Sequence, residues 1–130
     1  MKTALLNGQV FIDGAFRNGQ AVTIENGRIV RVGAAGAVPS DAARYDLNGA
    51  RLLPGYIDIQ VNGGGGVLFN DAPTVETVRH IAAVHRRFGV TGLLPTLISD
   101  DLDVVAAALR AVDEAIASGA PGVLGAHIEG

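Results

Sequence analysis

The chain has 130 residues, 48% hydrophobic and 18% charged, with a formal net charge of −3 from ten basic and thirteen acidic side chains. That balance excludes an intrinsically disordered chain, and without a basic cluster it excludes nucleic acid as the main partner. There is no cysteine, which rules out a disulfide framework, a thiolate zinc site and a cysteine nucleophile together. The apolar stretch after Lys2 stops at Asn7-Gly8, too short for a signal-peptide core, and no run approaches the roughly 18 apolar residues of a membrane span. The expectation is a soluble cytoplasmic protein with no membrane partner.

Residues 1–53 read as short strands and turns. Residues 21–25 (AVTIE) and 28–32 (RIVRV) are β-rich and are joined by Asn26-Gly27. An Asn-Gly pair is a strong hairpin signal, because both central residues of a type I′ turn need φ > 0. Leu5-Leu6 and Val10-Phe11-Ile12 flank Asn7-Gly8, with Asp13-Gly14 following, which predicts another strand pair. No segment before Leu53 has helical periodicity. The region is expected to be a small antiparallel β unit.

Pro54-Gly55 breaks the chain, and the pattern then changes. Residues 56–62 (YIDIQVN) alternate strictly, setting Ile57, Ile59 and Val61 on one face and Asp58, Gln60 and Asn62 on the other. After four consecutive glycines, Gly63 to Gly66, Asp71 and Pro73 announce a helix. Its stripe is Val75, Val78, Ile81, Ala82, Val84 and Phe88, and Gly89 ends it. A β-type run over 90–97 follows. Ser99-Asp100 should cap a second helix with Leu102, Val105, Leu109, Val112 and Ile116 as its stripe, stopped at Gly119. Residues 123–129 (VLGAHIE) read as a third strand. Strands starting near 56, 90 and 123, with helices between them, predict βαβ units and a parallel sheet. Their pitch fits a (β/α)8 barrel, of which only three units are present.

Three groups could carry chemistry. Asp58, Gln60 and Asn62 are polar on a strand of a class that is usually apolar on both faces. They suit an active-site mouth at a strand's carboxyl end, or they bond the glycine loop. His127 and Glu129 share a face of the third strand and suit metal binding, a base with its orienting partner, or an ordinary ion pair. The glycine loop lacks the G-x-G-x-x-G register, and no Gly-Lys-Ser/Thr follows it, so it is neither a dinucleotide nor a Walker loop. It should instead let backbone approach a ligand or a neighbouring loop closely. His80 and His85 lie five apart, against the three or four that a metal pair on one helical face needs, and read as exposed or packed against the helix. An H-x-E also opens the zinc nucleobase-deaminase signature, which requires a cysteine pair that is absent.

LPGYIDIQVNGGGGVLFND from Leu53 to Asp71, LPTL from Leu94 to Leu97, and GAHIEG from Gly125 to Gly130 resemble the N-acetylglucosamine-6-phosphate deacetylases, within the amidohydrolase superfamily. The resemblance covers the whole chain. It implies the first three β/α units of a (β/α)8 TIM-type barrel (residues 54–130), preceded by the N-terminal strands of a small β-sandwich (residues 1–53). It also implies hydrolysis of the acetamide of N-acetylglucosamine 6-phosphate, an amino-sugar phosphate, to glucosamine 6-phosphate and acetate. Glu129 matches the family's carboxylate metal ligand, while Gln60, Asn62 and His127 line the site. Gln60 and Asn62 stand where many superfamily members carry His-x-His, and neutral amides are weak zinc ligands, so one divalent metal, zinc, is expected in place of two.

The resemblance further implies that no catalytic residue lies within these 130 residues. The general base is an aspartate on a late strand, two histidines complete the metal site, and the phosphate contacts lie beyond Gly130. The expected assembly is a homodimer. A polypeptide ending at Gly130 is expected to be inactive, to bind metal poorly, and to be stable only in association with another chain. Two rival readings remain: another amidohydrolase, such as a D-amino-acid deacylase or a dihydroorotase-like enzyme, and a non-catalytic truncated assembly module.

Overall fold

The structure, a computed structural model, describes residues 1–130 and divides into two compact units, Met1–Pro54 and Gly55–Gly130. The first is built from seven short strands: β1 (Lys2–Leu6), β2 (Gln9–Ile12), β3 (Ala15–Arg17), β4 (Gln20–Glu25), β5 (Arg28–Ala34), β6 (Ala43–Asp46) and β7 (Arg51–Leu52). They form one sheet in the order β5-β4-β1-β6 and another in the order β3-β2-β7. The β4–β5 hairpin turns at Asn26-Gly27 as expected, with φ of +50° and +76°.

The second hairpin is not where the sequence put it. β1 and β2, on either side of Asn7-Gly8, do not pair. β2 turns back onto β3 through Asp13-Gly14, whose φ values are +49° and +77°. Nor is the unit wholly antiparallel: β6 joins β1 and β7 joins β2 in parallel. Both parallel partners arrive after long connections, which no turn signal encodes. Part of the connection is anchored by Asp46, which accepts the Asn48 N–H at 2.7 Å and the Asn7 amide at 2.8 Å. Together these bonds, the Asn48 N–H foremost, hold the Asp46 carboxyl below its ordinary range.

The second unit runs β8 (Tyr56–Val61), β9 (Gly63–Gly64), β10 (Val67–Leu68), α1 (Val75–Arg86), β11 (Val90–Leu97), α2 (Leu102–Ala117) and β12 (His127–Ile128). β8 and β12 both pair with β11 in parallel, giving the order β12-β11-β8. The third strand is shorter than residues 123–129. Only His127–Ile128 is ladder, with a single bridge at Val123 and a Leu124 N–H bond to the Leu93 carbonyl. Gly122, at φ +82°, and Gly125 leave the segment between irregular.

α1 is capped by Thr74, whose hydroxyl accepts the Thr77 N–H at 3.3 Å, and not by Asp71. It buries Val78, Ile81 and Ala82, and Gly89 (φ +90°) ends the turn that follows it. Phe88 falls in that turn and stays exposed. α2 begins after Asp101 with no side-chain cap; Ser99 and Asp100 bond elsewhere. Its buried face is Ala108, Ala111, Val112 and Ala115, whereas Leu102, Leu109 and Ile116 of the expected stripe are exposed. Small side chains let α2 approach closely, so its largest apolar residues do not mark the inner face. The core joins Val61, Phe69, Val78, Ile81, Leu93, Leu97 and Val112. Full burial of each large apolar side chain contributes about 1.5–3 kcal/mol. No helix is long and apolar enough to cross a membrane.

Candidate functional site

Because β8, β11 and β12 are parallel, their carboxyl ends lie along one edge of the sheet. Ligands of α/β sheets bind outside that edge. Gln60 comes from the end of β8, Thr96 from the end of β11, and His127 and Glu129 from β12 and the residue beyond it. The Gln60 amide donates from Nε2 to Glu129 Oε1 at 2.7 Å. β11 lies between the two strands, so these long side chains meet over it. Glu129 is exposed rather than enclosed in a cavity. Its backbone N–H is fixed to the Leu97 carbonyl at 3.0 Å.

Thr96 is fully buried, and its hydroxyl organises the neighbouring backbone. Oγ1 accepts the Val61 N–H at 2.8 Å, donates to the Leu94 carbonyl at 3.1 Å, and lies 3.3 Å from His127 Nδ1. A hydroxyl has one proton. With that proton on the Leu94 carbonyl, His127 donates from Nδ1 and keeps the Nε2 lone pair free. Asp58 turns back onto its own strand, accepting the Gln60 N–H at 3.2 Å. Asn62 is half-buried, its carbonyl accepts the Phe69 N–H at 2.8 Å, and its side chain makes no hydrogen bond to Glu129. Of the expected cluster, the structure therefore joins Gln60 with Glu129 and holds His127 through Thr96. Asp58 and Asn62 stand apart from that bond.

Several residues at this edge carry roles that the sequence reading missed. Asn70 clamps the backbone of Ile98, donating to its carbonyl and accepting its N–H, each at 3.0 Å, and also donates to Asp100 at 2.8 Å. This ties the loop after β8 to the loop after β11. The Asn70 amide, followed by the Asp101 N–H, holds the Asp100 carboxyl below its ordinary range. Ser99 donates to the Gly130 carbonyl at 2.7 Å, linking the second loop to the third.

The two histidines of α1 clasp the glycine loop. His80 Nε2 meets the Gly65 carbonyl at 3.2 Å, and His85 Nε2 meets that of Gly63 at 3.0 Å. A side chain on Gly65 would collide with the His80 ring, and one on Gly64 would come within 2.8 Å of His85 Nε2. The close approach expected of the glycines is thus to α1. Their i, i+5 spacing excluded a metal pair but gave no sign that each ring would reach a different turn of the loop.

The donor chemistry fits a divalent cation in part. Glu129 keeps Oε2 free of hydrogen bonds, and His127 offers an imidazole on the same strand. No three His, Asp or Glu side chains come together, however, and a catalytic zinc usually takes three protein ligands. These residues can form one side of such a site.

The class the fold defines is mixed α/β: a parallel β-α-β-α-β sheet with a carboxylate and polar side chains at its carboxyl edge, the edge where such sheets bind ligands. Over part of their length, amino-sugar-phosphate deacetylases are similar to this chain. The chain is 50% identical over 91 residues to the N-acetylgalactosamine-6-phosphate deacetylase of Shewanella sp. (strain ANA-3), covering 70% of this chain and 23% of that protein. It is 33% identical over all 130 residues to the N-acetylglucosamine-6-phosphate deacetylase of Haemophilus influenzae, covering 34% of the latter. The crystal structure of N-acetylglucosamine-6-phosphate deacetylase from Pasteurella multocida superposes on the whole chain with a TM-score of 0.92 at 28% identity, over 34% of its own length. No protein-family model matches. The chain therefore spans about a quarter to a third of the length of these relatives and corresponds to their N-terminal part.

Proposed function

We propose that the protein containing this chain hydrolyses the acetamide of a 2-acetamido-2-deoxyhexose 6-phosphate, and that residues 55–130 are the first three units of its (β/α)8 barrel. Residues 1–54 are then the N-terminal strands of a small β-sandwich. The observation that carries this reading is the Gln60–Glu129 bond over β11, which assembles a carboxylate-bearing corner at the edge where such enzymes bind substrate. Water adds its oxygen to the acetyl carbon, the C–N bond breaks, and the sugar amine leaves with a proton.

Glu129 would hold one divalent metal, zinc, together with ligands from outside these residues. When bound, the ion supplies an activated water and polarises the acetyl carbonyl. Gln60 orients Glu129 without cancelling its charge. Thr96 holds His127 beside it, and the Asn70 and Ser99 clamps keep the three loops in register. The general base lies outside the chain.

The glucosamine configuration follows from the resemblance and from the relative matched over the whole chain. The Shewanella relative, more similar over 91 residues, favours the galactosamine epimer as a second reading. The two sugars differ at C4, away from the acetamide carbon, so the hydrolytic groups treat them alike. Discrimination falls to whatever bonds the C4 hydroxyl, which can separate substrates strongly. The test is acetate release by the protein from its complete reading frame, loaded with zinc, from both 6-phosphates and both unphosphorylated sugars. Release from a 6-phosphate is expected, and the preferred epimer decides between the two readings. No release from any of the four contradicts the proposal.

A further inference from the structure

β8 and β12 each lie one strand spacing, about 4.8 Å, from β11, so the backbones of residues 60 and 129 are about 10 Å apart. Two long side chains span that gap, and an asparagine at 60 falls one methylene short. An ionised carboxylate only accepts hydrogen bonds, so the amide must turn its N–H, and not its oxygen, toward Glu129. That single bond has two consequences. It fixes the carboxylate plane, with Oε1 engaged and Oε2 free. It also leaves the negative charge whole, whereas a lysine or arginine at 60 would neutralise it.

Resting on the reading of Glu129 as a metal ligand, the geometry points to Gln60 as a positioning residue. It pre-orients the Glu129 carboxylate so that Oε2 is presented to the cation with its charge uncancelled. Gln60 thus acts on metal affinity through Glu129 and is not itself a ligand. With Oε1 already engaged in the metal-free protein, Oε2 meets the cation without the carboxylate first having to be ordered. Partners that orient a ligand in this way typically change metal affinity 10–100-fold.

The test is zinc affinity, measured by competition with a chromophoric chelator, for the complete protein and for Gln60→Leu, Gln60→Asn and Glu129→Gln. Melting of each is also measured in excess EDTA. Both Gln60 variants are expected to bind zinc 10–100-fold more weakly while melting, metal-free, within about a degree of the parent. Deacetylation should recover towards the parental kcat when zinc is in large excess. Zinc affinity within twofold of the parent in both Gln60 variants, with Glu129→Gln losing zinc, overturns the role of Gln60 alone. Unchanged affinity in Glu129→Gln overturns the ligand reading beneath it as well. A metal-free melting point that falls in step with affinity shows a purely structural residue and also overturns the inference.

Discussion

Residues 55–130 bury Phe69, Ile81, Leu93 and Leu97 almost completely, whereas the buried apolar side chains of residues 1–54 are mostly smaller: Ala4, Leu6, Val10, Ala21, Val22 and Ala42. On β5, Ile29, Val30 and Val32 remain 66%, 54% and 46% exposed. A cavity of about 370 Å³ lies open among Leu5, Val10, Phe11, Val22, Ile24 and Leu52. The difference lies in how the strands are connected. A parallel strand can be reached only by a crossover; in residues 55–130 each crossover carries a helix that covers the sheet, whereas those leading to β6 and β7 carry no α-helix. A hairpin closes with two residues and satisfies its hydrogen bonds, but it brings nothing to cover its apolar face.

The largest effect that would break this contrast is in the cores. Phe69→Ala is expected to cost about 3–5 kcal/mol in urea unfolding, from lost burial and the cavity left behind. Val30→Ala, on an exposed strand face, should stay within about 0.5 kcal/mol. Similar losses at the two positions contradict the account.

Next in size is the glycine loop. Gly65 and Gly66 both have positive φ, +61° and +86°, but only Gly65 has the His80 ring and Val84 against its missing side chain. Gly66→Ala should cost about 1 kcal/mol from backbone strain. Gly65→Ala should cost about 2–3 kcal/mol, and removing the ring with His80→Ala should recover part of the excess. Equal costs for the two glycines mean that the histidine clasp is not formed.

The smallest effect sharpens the comparison at the site. Asn70→Ala should destabilise by about 1–2 kcal/mol through its lost backbone bonds. It should also raise the Asp100 titration in NMR part of the way back toward the ordinary carboxylate range, the Asp101 N–H still holding it down. With Asn70 present, the folded-state value is depressed. The contribution of Asp100 is therefore full above the ordinary carboxylate range and is lost as pH falls through the lowered value, so the variant should differ from the parent least in acid. An unmoved Asp100 titration removes Asn70 as the cause.

What was legible in the sequence was local. Asn26-Gly27 located its hairpin because the turn needs two positive φ values, and the strand-helix alternation after Pro54 gave the parallel sheet. Gln60, His127 and Glu129 could be placed on strand ends by two-residue periodicity. What failed depended on partners distant in the chain. β6 and β7 pair in parallel with strands that no turn joins them to. The inner face of α2 is made of alanines, which a search for large apolar residues passes over. Asn70 and Thr96 act through backbone groups 28 and 35 residues away, and such bonds leave no periodic trace.

The central claim is that Glu129, held by Gln60, forms one corner of a cation site at the carboxyl edge of the sheet. A crystal structure of the complete protein grown with zinc, read by anomalous scattering at the zinc edge, tests it most directly. The account predicts a zinc peak on the Glu129 carboxylate, with the Gln60 amide still bonded to its other oxygen. A zinc peak elsewhere, with Glu129 turned out to solvent, would contradict it.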